Sequence, residues 1–127
     1  MLRNSRIAST AALILLLGAC STKGSQNQPA VSERQTRVEV TNHNWSDMRV
    51  YVVRAGNRFR LGTVSTMGTQ VFQLPRALSS YTGGLQLVAD PIGSREFYMT
   101  QPLSVIPGQL VSFKIENHLA ISTVSVW

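Results

Sequence analysis

Cysteine is nearly absent from this chain, with one residue, Cys20, among 127. That excludes an internal disulfide framework and any zinc or iron–sulfur site built on several thiolates. Charge is scarce as well. Charged side chains make up 14% of the sequence, against roughly 25% in an average soluble domain, so no long acidic or basic tail is present. Two histidines and six carboxylates leave little material for acid–base chemistry. No phosphate loop, dinucleotide fingerprint or paired-carboxylate motif occurs. There is no internal repeat, and no run carries the pattern of a long amphipathic helix. What remains is 43% hydrophobic, enough for one domain with short appendages and too little for two cores.

The clearest signal lies at the start. Arg3 and Arg6 form a basic segment ahead of an apolar run from Ile7 to Leu17. That run is shorter than the ~20 residues needed to span a bilayer, which favours a cleaved secretory signal over a permanent transmembrane helix. The two arginines are not adjacent, so the twin-arginine route is disfavoured. Leu17-Gly18-Ala19-Cys20 resembles the lipobox of bacterial lipoproteins. The resemblance implies cleavage before Cys20 by signal peptidase II and a diacylglyceryl group on its sulfur. Several acyl chains, at ~0.8 kcal/mol per buried methylene, make a stable membrane anchor where one chain is marginal. Ser21 rather than Asp follows the cysteine. By the same resemblance this favours the outer membrane, facing the periplasm.

Residues 1–19 are thus expected to be removed, leaving 20–36 as a lipidated tether and 37–127 as the domain. Ser21 to Thr36 is polar, rich in Ser and Gln, and shows neither strand nor helix periodicity. As a coil it would span roughly 20–24 Å, and fully extended roughly 53–58 Å. Loss of Arg3 and Arg6 lowers the net charge from +6 to +4, since ten basic residues then face six acidic ones. The apparent basicity therefore overstates that of the mature protein. No nucleic-acid-binding signature is present, and nucleic acid is not an expected partner for an envelope protein.

From Arg37 onward the pattern is one of short strands and turns. Val38 and Val40 alternate with polar neighbours, and Met48, Val50 and Val52 alternate with Arg49, Tyr51 and Val53. Asn42 to Asp47 reads as a turn, rich in residues whose side chains bond their own backbone. Gly56-Asn57 reads as a two-residue hairpin loop pairing Ala55 with Arg58. That register puts Val50, Val52, Phe59 and Leu61 on one face, and Arg49, Tyr51, Val53, Arg58 and Arg60 on the other. Further strands are expected at 69–74, 85–90, 97–101 and 109–116. A last strand is expected from Leu119, with a bulge near Ser122-Thr123 to reconcile its two phases. Seven or eight short strands at this spacing indicate an all-β, antiparallel sandwich, immunoglobulin-like or transthyretin-like. The body also resembles small, uncharacterised sandwich domains of bacterial lipoproteins, through Val38–Asn42, Asn44–Tyr51, Arg60–Gly62, Ala89–Gly93 and Val105–Gln109. That resemblance implies one compact domain and imports no activity.

Few residues are placed for chemistry. His43, Ser46 and Asp47 sit in one short turn without a nucleophile elbow, unlike a hydrolase triad. A His43–Asp47–His118 metal site matches no ligand spacing, and solvated turn residues are the expected reading. No catalytic residue, metal or cofactor is therefore assigned. Trp45 is expected to plug the core, the common fate of a lone tryptophan in a small sandwich, with exposed recognition as the alternative. Trp127 ends the chain as an outer-membrane barrel strand often does, but Arg49, Arg58 and Arg60 would then face lipid. The remaining candidate is the Arg49, Tyr51, Arg58, Arg60 group. Arginine forks recognise phosphate and carboxylate, and tyrosine adds rigid contact area. The alternative is a solvated face whose charges guard the sheet against edge pairing. The expected role is a membrane-anchored, non-enzymatic module that docks an envelope protein through edge strands or this face. Recognition of an anionic glycan or lipid headgroup by the same face is the second reading.

Overall fold

A computed structural model of the chain describes residues 35–79 and 83–127. Eight strands form two four-stranded sheets. They are β1 (Arg37–Asn42), β2 (Met48–Arg54), β3 (Asn57–Val64), β4 (Thr69–Gln73), β5 (Gln86–Pro91), β6 (Tyr98–Met99), β7 (Leu110–Ile115) and β8 (Thr123–Val126). Sheet A has the order β4-β1-β7-β8 and sheet B the order β3-β2-β5-β6. The only helical segments among the described residues are single turns, Arg76–Ser79 and Leu119–Ile121. The all-β sandwich expected from the alternation is therefore the fold.

Alternation selects what the sheets bury. Val38, Val40, Val111, Phe113 and Ile115 of sheet A meet Met48, Val50, Val52, Leu87 and Ala89 of sheet B, all fully buried. β-branched residues dominate because a branched Cβ packs well on a pleated surface. Tyr98 closes the open side, stacking on Phe113 at 6.1 Å between ring centres and donating its hydroxyl to the Ser122 carbonyl at 3.0 Å.

Besides a bulge in β3 and the place of Trp45, four details depart from the sequence reading. β1 pairs with β7 in parallel over Arg37–Asn42, so the sandwich is not wholly antiparallel. The parallel pair fixes the first strand beside the last hairpin, β7–β8. The β2–β3 loop is Ala55-Gly56, one residue earlier than expected, and pairs Arg54 with Asn57. Both loop residues have positive φ, 47° and 77°, the signature of a type I′ turn. This two-residue slip preserves strand parity, so the expected division into an apolar and an arginine-bearing face survives it. Phe59 nonetheless stays largely exposed, because β3 is an edge strand.

A register shift follows at Val50/Tyr51, where Leu61 is the extra residue in β3. Beyond it Gly62 and Val64 turn inward. Gly62 is required there, since a Cβ at this position would lie 2.5 Å from Cε1 of Phe72. The third departure is β6, reduced from five expected residues to two, with Pro102 soon after. The fourth is Leu119–Ile121, which forms a 3₁₀ turn rather than a strand start. That turn supplies the change of phase for which a bulge was expected.

The loop after β1 is built on two asparagines. Asn42, fully buried, donates its amide to the carbonyls of Ser46, Val64 and Ser65 at 2.9, 3.4 and 3.0 Å. Its Oδ1 accepts the Asn44 N–H at 2.9 Å. Asn44 repeats the motif, accepting from Ser46 N–H and donating to the Asn117 carbonyl, both at 2.9 Å. These bonds satisfy backbone groups that a buried loop would otherwise leave unpaired. They also leave the tip outside: Trp45 is 75% exposed, a correction to its expected place in the core. Arg37 lies at the opposite end, where its N–H meets the Gln109 carbonyl and Trp127 pairs with Leu110.

Candidate functional site

The four residues singled out in sequence share the outer face of sheet B. Register explains it. Tyr51 stands opposite Arg60 on one side and Val88 on the other, Val53 opposite Arg58, and Arg49 opposite Thr63 and Asp90. The structure therefore brings the group together, but gives its members different tasks.

Arg49 is spoken for. Its Nη2 lies 3.0 Å from Oδ2 of Asp90, the residue facing it across the β2–β5 ladder. Both side chains are partly exposed, so the pair contributes on the order of 0.2–1 kcal/mol. Its Nε is buried without a hydrogen-bond partner. Arg60 donates from Nη2 to the Thr63 hydroxyl at 2.8 Å, a contact that aligns the guanidinium along β3. Neither geometry depends on a residue from outside the sheet.

Arg58 is placed differently. Its guanidinium carbon lies 5.0 Å from the centre of the Tyr51 ring and 5.8 Å from that of Phe97. A cation near two aromatic faces is held by their quadrupoles while its N–H groups stay free for a further acceptor. Arg58 and Arg60 carry no carboxylate partner among the described residues.

Phe97 and Met99 complete the face and are not evident from sequence. Both side chains are substantially exposed. Beneath this layer lies Val88, which faces away from the inter-sheet core because its neighbours Leu87 and Ala89 face into it. Val88 is nevertheless 0% exposed, flanked in the ladder by Tyr51 and Met99. A fully buried valine on an outward face is the one signal that a second, smaller apolar layer exists here. The face is thus an aromatic and arginine platform with a dry centre, rather than a uniformly solvated one.

The turn residues do not converge. His43 Nδ1 lies 3.3 Å from both carboxylate oxygens of Glu116. Asp47 accepts the Thr66 N–H at 2.8 Å and serves to hold the β3–β4 turn. Ser46 has its backbone in the asparagine network. His118 lines a separate groove beside β6 with Arg95 and Phe97. No group of three or more His, Cys, Asp or Glu is placed to hold a metal among the described residues. No helix among them is long and apolar enough to cross a membrane. Cys20, with the expected signal peptide and nearly all of the expected tether, lies outside the described residues.

No protein-family model and no curated protein matches the sequence. Among solved structures the chain is similar to an NMR structure of a protein from Eubacterium rectale, with a TM-score of 0.43 and 14% identity. The match covers 78% of this chain and 92% of the other. A likeness at that level carries no argument about function.

Proposed function

We propose that this is a lipid-anchored protein of the bacterial envelope whose sandwich acts as a non-enzymatic docking module. The partner is a protein, and the docking surface is the outer face of sheet B. One observation carries the reading: half-buried Tyr51 and exposed Arg58, Phe97 and Met99 form one layer over a buried Val88. Tyrosine, arginine, phenylalanine and methionine are the types enriched at the centres of protein interfaces, where rigid rings bury area at low entropic cost. Anchoring rests on the lipobox-like Leu17–Cys20 segment.

Two measurements test it. Labelled fatty acid should enter the wild type and not Cys20→Ala, which should accumulate as precursor; equal labelling would sink the anchor. Crosslinking and pull-down from envelope membranes should recover a protein at low and at high salt. That protein should be lost from the Tyr51→Ala/Phe97→Ala double variant.

The absence, among the described residues, of a carboxylate beside Arg58 and Arg60 favours one second reading, an anionic glycan or lipid headgroup bound by the arginines. Exposed charges are screened over ~8 Å at physiological ionic strength, so such binding should fall steeply with salt. It should also vanish in an Arg49/Arg58/Arg60→Ser variant. A protein retained at high salt by that variant excludes the anion as the main ligand.

A further inference from the structure

Sheet B ends at β6, and a groove of about 530 Å³ runs beside that edge. One wall is the β6 segment with Phe97 and Met99, and the other is the turn carrying His118, Leu119 and Ala120. The ladder fixes which backbone groups look into it. Thr100 N–H bonds to the Leu87 carbonyl at 2.9 Å, and Ala89 stands opposite Tyr98. In an antiparallel pair, hydrogen-bonded and non-hydrogen-bonded positions alternate. Tyr98 therefore directs its N–H and C=O toward β5, while Met99 directs both of its groups, and Phe97 its C=O, away from it, toward the groove. Among the described residues nothing bonds to them there.

The other edge of sheet B, β3, is closed to such pairing. β3 is bulged at Leu61 and carries Arg58 and Arg60, both devices that discourage strand addition. β6 has neither device within it. Its groove also has a charge preference. Arg95 lies in the groove and Arg58 stands over Phe97 at its rim, neither with a carboxylate partner among the described residues, against the single carboxylate of Glu96 in the groove lining.

We propose that the β6 groove takes an extended segment of a partner protein as a fifth strand of sheet B, and that this segment alternates apolar with acidic residues. Main-chain bonds to Phe97 and Met99 supply the pairing, the apolar walls take alternate side chains, and the two guanidiniums select the acid. The proposal rests on the docking-module reading for its occupant, and moves the contact from the sheet face to the sheet edge.

The test uses the full chain, solubilised in mild detergent, and a displayed library of random linear peptides as the probe. Enriched peptides should alternate apolar and acidic residues and should protect the Met99 amide from hydrogen exchange. Met99→Pro removes a groove-facing N–H without touching a β5 bond, and should weaken the enriched peptide about tenfold. Ala120→Trp fills the groove from the opposite, exposed wall and should weaken it at least as much, which keeps the test decisive if Met99→Pro fails to fold. Val124→Pro, which removes an edge N–H from β8, should leave binding unchanged.

Failure to enrich any peptide, binding that survives Ala120→Trp, or loss of binding in Val124→Pro each overturns the groove. The docking-module reading fails separately. A membrane partner lost in the Tyr51→Ala/Phe97→Ala variant but retained in Ala120→Trp keeps that reading and removes this one. Enriched peptides without any partner in membranes do the reverse.

Discussion

Arg58 lies on the Tyr51 ring although the two are not direct ladder partners. Tyr51 faces Arg60, and Arg58 faces Val53. The contact is a diagonal one across the sheet, within the reach of a long side chain on a twisted strand pair. It places a guanidinium over a ring while leaving the donors on its edge unengaged. Since the contact is solvent-accessible, its coupling energy should be modest. A double-mutant cycle with Arg58→Ala and Tyr51→Leu should return about 0.5–1 kcal/mol in denaturant unfolding. A coupling indistinguishable from zero would mean that the stack is not populated in solution.

Asn42 should be the most sensitive polar position in the domain. Asn42→Ala removes the partner of three carbonyl groups and of the Asn44 N–H. The expected loss is roughly 2–4 kcal/mol, from backbone groups left unsatisfied in a buried loop. Asn42→Asp should be worse at neutral pH, because a carboxylate would face the carbonyl oxygens of Ser46, Val64 and Ser65. Chemical denaturation of the three proteins gives the order directly.

Gly62→Ala should cost about 1–3 kcal/mol, the usual penalty for forcing atoms into a packed core. The new Cβ would meet the Phe72 ring, so Phe72→Leu should recover part of the loss in the double variant. Additive effects in that cycle would show that the collision is relieved elsewhere.

The type I′ turn offers a gain. Ala55 holds a φ of 47°, a region that disfavours an ordinary side chain and that asparagine tolerates better. Ala55→Asn should raise stability by roughly 0.5–1 kcal/mol, read as a higher unfolding midpoint with an unchanged slope.

Both tryptophans are 75% exposed. Tryptophan fluorescence should therefore resemble that of the unfolded chain, with ready quenching by a neutral solute and little change on denaturation. Trp45→Ala should alter stability by no more than about 0.5 kcal/mol, as for other surface sites. A blue-shifted, quench-resistant emission would return Trp45 to the core.

The sandwich and the membership of its two faces were legible because alternation has a period of two, and a register slip of two residues leaves it intact. The β2–β3 loop shows the point: its position moved while Arg49, Tyr51, Arg58 and Arg60 kept one face. Leu61 was not legible as a bulge, because it appears only in the register that β3 keeps with β2 on either side of it. Trp45 was misplaced because a hydrophobic residue's own preference says little about a loop whose interior is already filled by asparagine amides. Asp90 could not be paired with Arg49 from sequence, since the ladder that joins them is a long-range one. Phe97 and Met99 were missed for a similar reason. Phe97, Tyr98 and Met99 are three large apolar residues in a row, so the segment lacks the alternation that reveals a face, and only the burial of Val88 marks the layer above it.

The place of β1 in sheet A has a mechanical consequence. β1 is flanked by β4 and β7 along its length, and residues 1–36 join the domain at its first residue. A pull applied through those residues, with the domain held at the far end of β1 beyond Asn42, runs along the β1 axis. The hydrogen bonds of both ladders lie across that axis, perpendicular on the β4 side and slanted on the β7 side. Such a load shears two ladders together instead of unzipping one bond after another. The sandwich is thus gripped by an internal strand, and its resistance to extraction should exceed what the same bonds would give if the pull began at an edge.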